Sequence, residues 1–288
     1  MKRYHLAELS DQPWCPKLLL DSATDFLQYF ENLSNVFGSS VPYLRRALEK
    51  SGTRRILDLC SGGGGPWPGL YQRFQKEECF PLSVCLTDKN PNIESVKICN
   101  ASSNGLQYYP RSIDAIKIPG NLDGFRTFFN AVHHFSPDEV QMILNDAIRK
   151  NRGIGIFEAT ERNVLAICQM IFVLPLIVLT LTPLIRPFRL SRLFWTYILP
   201  LLPLIITFDG IISSLRTYSI HELEGMICNL DLNHYTWEIG QEDVKGLPRK
   251  VTYLIGYPSE QGVGQPAKAS SRRYDDPFVA EPSIFRDG

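Results

Sequence analysis

Four consecutive glycines, Gly62–Gly65, stand directly behind the apolar run Ile56-Leu57-Asp58-Leu59-Cys60. The run has strand character, the glycines cannot continue it, and so flexible a turn is costly to order unless something demands it. Bare backbone brought close to a phosphate, a ribose or a sulfonium is one such demand. A second group of chemically capable residues lies further on, where Asn130, His133 and His134 follow the run "RTFF" and Glu158 ends the run "GIGIFE". Histidine and glutamate are the residue types that take a proton from a hydroxyl or an activated carbon acid. Adjacent histidines on an extended backbone point to opposite faces, so one of the pair is expected to face a site and the other to pack or cap.

The elements that must position these residues alternate along the chain. Apolar runs predict strands over 55–60, 81–88, 106–109 and 153–160, with a further run over 126–135, and helical periodicity predicts helices over 66–77, 92–104 and from Ser136 onward. Ser136 caps that last helix, Pro137 suits its first position, and Asp138 and Glu139 suit the positive end of its dipole. Two helices precede the first strand, and segments 235–241 and 250–258 predict an antiparallel closing pair. Strands that alternate with helices of these lengths build an α/β sheet with helices on both faces. In such a sheet Glu158 ends the fifth strand at the ligand-binding carboxyl edge.

Two patterns put a glycine-rich turn after the first strand of such a sheet. The dinucleotide fingerprint GxGxxG fails, because its third glycine place is Trp67 when counted from Gly62 and Pro68 when counted from Gly63. The pattern acidic-x-Gly-x-Gly-x-Gly fits Asp58-x-Cys60-x-Gly62-x-Gly64, with Cys60 in the first glycine place. In this motif and in the order of elements from 54 to 258 the chain resembles the class I S-adenosylmethionine (SAM) dependent methyltransferases, whose Rossmann-like sheet closes with an antiparallel pair.

The resemblance implies roles. Gly62 and Gly64 would admit the methionine part of SAM, with Cys60 as a small filler, and Asp58 would orient the turn or the amino group. Asp88 would accept both ribose hydroxyls, Asp114 would meet the adenine amino group, and Ile113 would lie against the ring. Asn130, His133 and His134 would stand where the transferred methyl meets its acceptor, and His133, His134 or Glu158 could take the acceptor's proton. The implied activity is methyl transfer, to oxygen first and to carbon or nitrogen next. The rival reading is a SAM-binding or membrane adaptor subunit without catalysis, acting through a partner protein.

After Glu161 the alternation breaks. Residues 164–185 carry no charge, and after Arg186, Arg189 and Arg192 neither do residues 193–208. The first run meets the length of a membrane span, yet Pro175 and Pro183 interrupt it and both ends return to one domain. A hairpin dipping into one leaflet, with the arginines at the headgroups, is the reading carried forward, against a buried lid or a homodimer contact. Either way the acceptor is expected to be apolar or amphipathic: a lipid, an isoprenoid or an aromatic metabolite. Asp209 and Arg216, two helical turns apart at the boundary of the insert, are expected to form a structural latch, with a substrate anchor as the alternative.

The organisation is therefore an N-terminal helical cap over 1–53, a first core part over 54–162, an insert over 163–208, a closing core part over 209–258 and a disordered tail over 259–288. Thirty basic and thirty acidic residues cancel, and no basic block suggests nucleic acid as a partner. Seven cysteines without metal-type spacing predict free thiols, no zinc and no disulfides. The polar N-terminus lacks a signal-peptide core, and a cytoplasmic protein, peripheral on the inner face of a membrane, is expected.

Overall fold

The structure, a computed structural model, describes residues 1–101, 105–228, 230 and 235–259. The expected tail lies almost entirely outside the described residues. Seven strands form one sheet in the order β3-β2-β1-β4-β5-β7-β6: β1 (Arg55–Leu59), β2 (Ser83–Thr87), β3 (Leu106–Tyr108), β4 (Phe125–Phe129), β5 (Ile154–Glu158), β6 (Tyr235–Asp243) and β7 (Lys250–Pro258). β1 to β5 run parallel, and β7 runs antiparallel to both β5 and β6.

Helices cover both faces, as the alternation predicts. On one face α2 (Val41–Lys50) and α3 (Trp67–Lys76) bury Leu44, Leu48, Trp67, Leu70 and Phe74 against the sheet. On the other, α5 (Pro137–Arg149) and α10 (Ile220–Ile227) bury Val140, Ile143, Leu144, Leu223 and Met226. Both of the latter begin with reciprocal capping boxes, Ser136 with Glu139 and Ser219 with Glu222. Each box satisfies two orphan N–H donors at a helix start. α4 (Ile93–Ala101) connects β2 to β3.

The insert is helical and longer than the sequence suggests. α6 (Val164–Phe172) and α7 (Leu174–Leu181) form an apolar segment whose 21 residues, Val164–Leu184, are long and apolar enough to cross a membrane by length and composition. A second apolar pair, Leu190–Ile198 and α9 (Leu201–Arg216), is bent by 77°. α9 runs straight through the expected boundary at 208, so Asp209 and Arg216 belong to the insert's last helix. The insert packs on α1 (Lys17–Ser34), where Leu19, Ala23 and Phe26 meet Val178, Leu202 and Ile206.

Two expectations for this region are corrected. The arginines do not form a headgroup-facing row, because Arg192 is 1% exposed and pairs with Asp25 at 2.5 Å, while Arg189 reaches the same carboxylate at 3.2 Å. Only Arg186 of the three is exposed. The cap over 1–53 is helical only from Lys17. Before it, residues 1–16 form a strap along the end of α9, with Tyr4 N–H donating to Leu215 C=O at 3.1 Å and Arg3 Nε to Arg216 C=O at 2.5 Å.

Candidate active site

The glycine turn is built from β1 and locked by hydroxyls. Asp58 is buried and accepts from Ser61 Oγ at 2.5 Å and Thr127 Oγ1 at 2.6 Å, while Thr87 Oγ1 donates to its carbonyl at 2.8 Å. Burial pushes the Asp58 carboxyl up to about 7 in spite of those donors. Through Ser61 the Asp58 carboxylate ties the start of the turn to β1.

Backbone φ is +60° at Cys60, +52° at Gly62, +110° at Gly64 and +51° at Gly65. Cys60 thus holds a left-handed conformation where glycine is favoured, which is why the pattern puts glycine there.

The glycines make room for more than a ligand. A Cβ on Gly63 would stand 2.8 Å from Thr24 O, and one on Gly64 would stand 2.8 Å from Gln28 Nε2. α1 therefore lies directly across the turn, with Gln28 Nε2 donating to Gly63 C=O at 2.6 Å and Asn32 Nδ2 to Gly65 C=O at 2.9 Å. Asn32 Oδ1 accepts from Gly69 N–H at 2.7 Å. A four-glycine run, longer than a ligand-binding turn needs, is explained by this docking.

At the end of β2, Asp88 accepts from Gly62 N–H at 2.8 Å and Asn90 N–H at 2.7 Å. Ile113 N–H donates to Asp88 C=O at 2.9 Å, which brings the segment of Ile113 and Asp114 beside it. Asp114 Oδ1 accepts from Ile116 N–H at 2.9 Å and shapes its own turn. Cys60, Gly62, Gly64, Asp88, Ile113 and Asp114 are thus gathered at the carboxyl edge of the central strands.

Asn130 joins this group through a residue that the sequence reading missed. Its amide donates to Glu31 on α1 at 2.8 Å, and its Oδ1 accepts from Ala159 N–H at 2.8 Å. Burial, opposed by the Asn130 hydrogen bond and helped by the charges of Asp58 and Glu158, pushes the Glu31 carboxyl up to about 8. The spacing of Thr24, Gln28, Glu31 and Asn32, a polar stripe at i, i+4, i+7 and i+8 beside the glycine turn, is the signal that could have found it.

The candidate proton acceptors are gathered elsewhere. Residues Val132–His134 form a single 3-10 turn, so His133 and His134 do not diverge as an extended backbone would require. Their ring centroids lie 4.5 Å apart. Glu158 is buried and accepts from Ala131 N–H at 3.1 Å, Val132 N–H at 2.7 Å and His133 Nδ1 at 2.6 Å. Burial alone would raise it, but the His133 charge and hydrogen bond, with the Val132 donor, hold it below the ordinary carboxylate range. Glu158 and His133 thus form a buried pair, joined to each other through Nδ1 and to the backbone of the turn.

Arg216 seals the turn from the insert side, donating to His133 C=O at 3.1 Å and His134 C=O at 2.6 Å. Asp209 accepts from Leu9 N–H at 2.7 Å and Ser10 N–H at 3.1 Å. The expected latch exists, although its two members fasten the N-terminal strap and the histidine turn instead of each other.

A parallel sheet ordered 3-2-1-4-5, extended by an antiparallel seventh strand between the fifth and sixth, with a glycine turn after β1 and an acid after β2, decides the fold. The chain has the class I methyltransferase fold. No protein-family model and no curated protein matches it. Among solved structures it is similar to a Nostoc punctiforme protein described as a candidate O-methyltransferase, at 14% identity and a TM-score of 0.46, over 88% of this chain. It spans 64% of that protein's length. It is also similar to a SAM-dependent methyltransferase from Aquifex aeolicus at 13% identity and a TM-score of 0.46, over 82% of this chain and 97% of that one. A third is magnesium protoporphyrin IX methyltransferase from Synechocystis with bound S-adenosylhomocysteine, at 11% identity and a TM-score of 0.42, over 79% and 84% of the two chains.

Proposed function

We propose that this methyltransferase-fold chain transfers a methyl group from SAM to a small apolar or amphipathic acceptor at a membrane surface. The observation that carries the reading is the acid-lined glycine turn. Glu31, Asp58 and Asp88 surround it, and the partners that hold their carboxylates are amides and hydroxyls. A cationic ligand fits that surplus of carboxyls, and SAM is cationic at both its sulfonium and its ammonium groups. Asp88 would hold the ribose hydroxyls, Ile113 and Asp114 the adenine, and Glu31 the positive charge. SAM, when bound, supplies an electrophilic methyl group. The chain's own contribution is orientation and exclusion of water, by α1 closing over the turn, and positioning of this kind supplies much of a transfer rate.

The membrane part of the reading rests on the insert's outer face. Leu165, Phe172, Leu176, Leu190, Ile198 and Leu204 are all exposed, large apolar side chains of one insert that a membrane would cover. An acceptor drawn from a bilayer would be apolar or amphipathic. Oxygen is the first atom to test. The same surface supports a peripheral place on a membrane.

The test is incubation of the protein and SAM with a native lipid extract, read by mass spectrometry for a product heavier by one methyl, beside flotation with liposomes. The reading expects a product, and flotation weakened more by Phe172→Asp with Leu176→Asp than by Arg186→Ala. Saturable SAM binding without any product would favour the adaptor reading, which the commitment of His133 and Glu158 to the fold itself supports.

A further inference from the structure

Away from the glycine turn, the N-terminal strap meets the histidine turn in a cluster that methyl transfer does not use. Glu8, 3% exposed, faces both imidazoles, with His133 Nε2 at 3.8 Å from its Oε1 and His134 Nε2 at 3.7 Å from its Oε2. Behind each ring stands another carboxylate: Glu158 at 2.6 Å from His133 Nδ1, and Asp11 at 3.2 Å from His134 Nδ1. Those contacts put the ring protons on Nδ1. Each Nε2 is then aimed at the Glu8 carboxylate across 3.7–3.8 Å, too wide for a good hydrogen bond and open to an ion.

Charge counting agrees. Glu8, Asp11 and Glu158 bring three negative charges, and the cation that touches them is Arg216, whose NH1 lies 3.5 Å from Glu8 Oε1 and 3.2 Å from Asp11 Oδ2. Three carboxylates against one guanidinium leave two positive charges to supply, and either two ring protons or one divalent ion supplies them.

We propose that Glu8, His133 and His134 form a metal site for a borderline transition ion, zinc first. The donor atoms lie within 4.8 Å of one another. Zinc ligands at about 2.0–2.1 Å from a tetrahedral ion stand about 3.3 Å apart, so the donors must draw together by up to about 1.5 Å in separation, within reach of side-chain rotation. Two imidazole nitrogens and a carboxylate suit zinc and exclude magnesium and calcium as preferred occupants. A carboxylate on the far nitrogen of each ring is the second layer that ligating histidines characteristically carry, where it fixes the tautomer and orients the ring. Ser213 Oγ, donating to Glu8 Oε1 at 2.9 Å, holds the third ligand in the same way. The ion would rivet the strap to the turn after β4. Cysteine spacing could not reveal such a site, because one ligand comes from residue 8 and two from residues 133 and 134.

The experiment uses the untagged full chain, stripped with a chelator and titrated with Zn2+ by calorimetry and with Co2+ by visible absorption. The site predicts one ion per chain, a higher melting temperature with Zn2+ and none with Mg2+, and a Co2+ spectrum without the near-ultraviolet thiolate band that the exposed Cys79, Cys168 and Cys228 would produce. His134→Ala and Glu8→Gln should each abolish the step. Asp11→Asn should weaken it about 10–100-fold while leaving one ion bound at saturation. Circular dichroism checks that each variant is folded, and His134→Asn stands in if His134→Ala is not. Absence of Zn2+ uptake by the folded native chain overturns the proposal. So does equal uptake by the folded His134 variant, which marks thiols as the adventitious ligands.

Discussion

Neighbouring strands β1 and β4 both end in a turn at the carboxyl edge of the sheet, and the two turns treat acids in opposite ways. At the glycine turn, burial raises Asp58 to about 7 and Glu31 to about 8. At the histidine turn, burial also works against ionisation, yet the His134 hydrogen bond and charge, with Arg216, bring Asp11 down to about 2. Glu158 is lowered beside His133 in the same manner. The second turn carries its own partners for Asp11 and Glu158 in Arg216 and the two histidines. At the first turn the acids are held by amides and hydroxyls, the arrangement expected where the positive charge arrives with a ligand.

The sharpest way to separate the two turns is to loosen α1, which lies across the first and meets the second at its start, where Asn130 bonds Glu31. Asp25→Ala leaves Arg192, 1% exposed, without its carboxylate. Stranding a buried charge costs about 3–5 kcal/mol, read as a fall in urea midpoint. Hydrogen exchange should rise at Gly62–Gly65 and stay low at Val132–His134. Equal loosening of both turns would break the comparison.

A smaller lesion is Gly63→Ala, whose Cβ would meet Thr24 O at 2.8 Å. Overpacking of this kind costs about 1–3 kcal/mol, and SAM binding should weaken with it because α1 must shift. Unchanged stability would mean that α1 does not rest on the turn.

Smaller again is the effect of pH through Glu31. Its folded pKa is raised, so its contribution to stability is fully present below the ordinary glutamate pKa and is lost as pH rises through about 8. The unliganded protein should therefore lose stability between about pH 5 and pH 8, and Glu31→Gln should reduce that slope, most clearly above about pH 7, where Asp58 no longer contributes. A cationic ligand at Glu31 must displace its proton, so SAM affinity should climb about tenfold per pH unit at most below that pKa, and stay flat in the variant. A slope that survives in Glu31→Gln would remove Glu31 from the site.

The smallest expected effect is at Cys60, whose φ of +60° suits glycine. Relief of left-handed strain, less the added backbone entropy, should make Cys60→Gly more stable by about 0.5 kcal/mol in urea unfolding. A clear loss would show that the thiol is needed where it packs.

The same contrast explains what was readable beforehand. The sheet, the glycine turn and Asp88 are legible because period-two runs, glycine punctuation and an acid after β2 are all written within a few residues of the structure that they make. The histidine turn is misread because a short aromatic run followed by "AVHH" gives no local sign that Glu158 will draw Ala131 and Val132 N–H into a 3-10 turn. Glu8, Asp11 and Glu31 stay hidden because their partners lie 99 to 205 positions away. The arginines of the insert look like headgroup ligands from their spacing, but Asp25, 167 positions from Arg192, claims two of them.

The central claim is that the glycine turn takes SAM, and Asp88 is its test. A carboxylate accepting two ribose hydroxyls makes charge-assisted bonds, and removing one partner of such a pair costs enough to lower affinity about tenfold or more. Asp88 also holds Gly62 N–H, so circular dichroism and the urea midpoint must accompany the binding data. Calorimetric titration of the full chain with SAM and with NAD, native and Asp88→Ala, should give saturable SAM binding that is tighter than NAD binding and is weakened at least tenfold in the folded variant. Unchanged SAM affinity in that variant, or tighter binding of NAD by the native chain, would contradict the account.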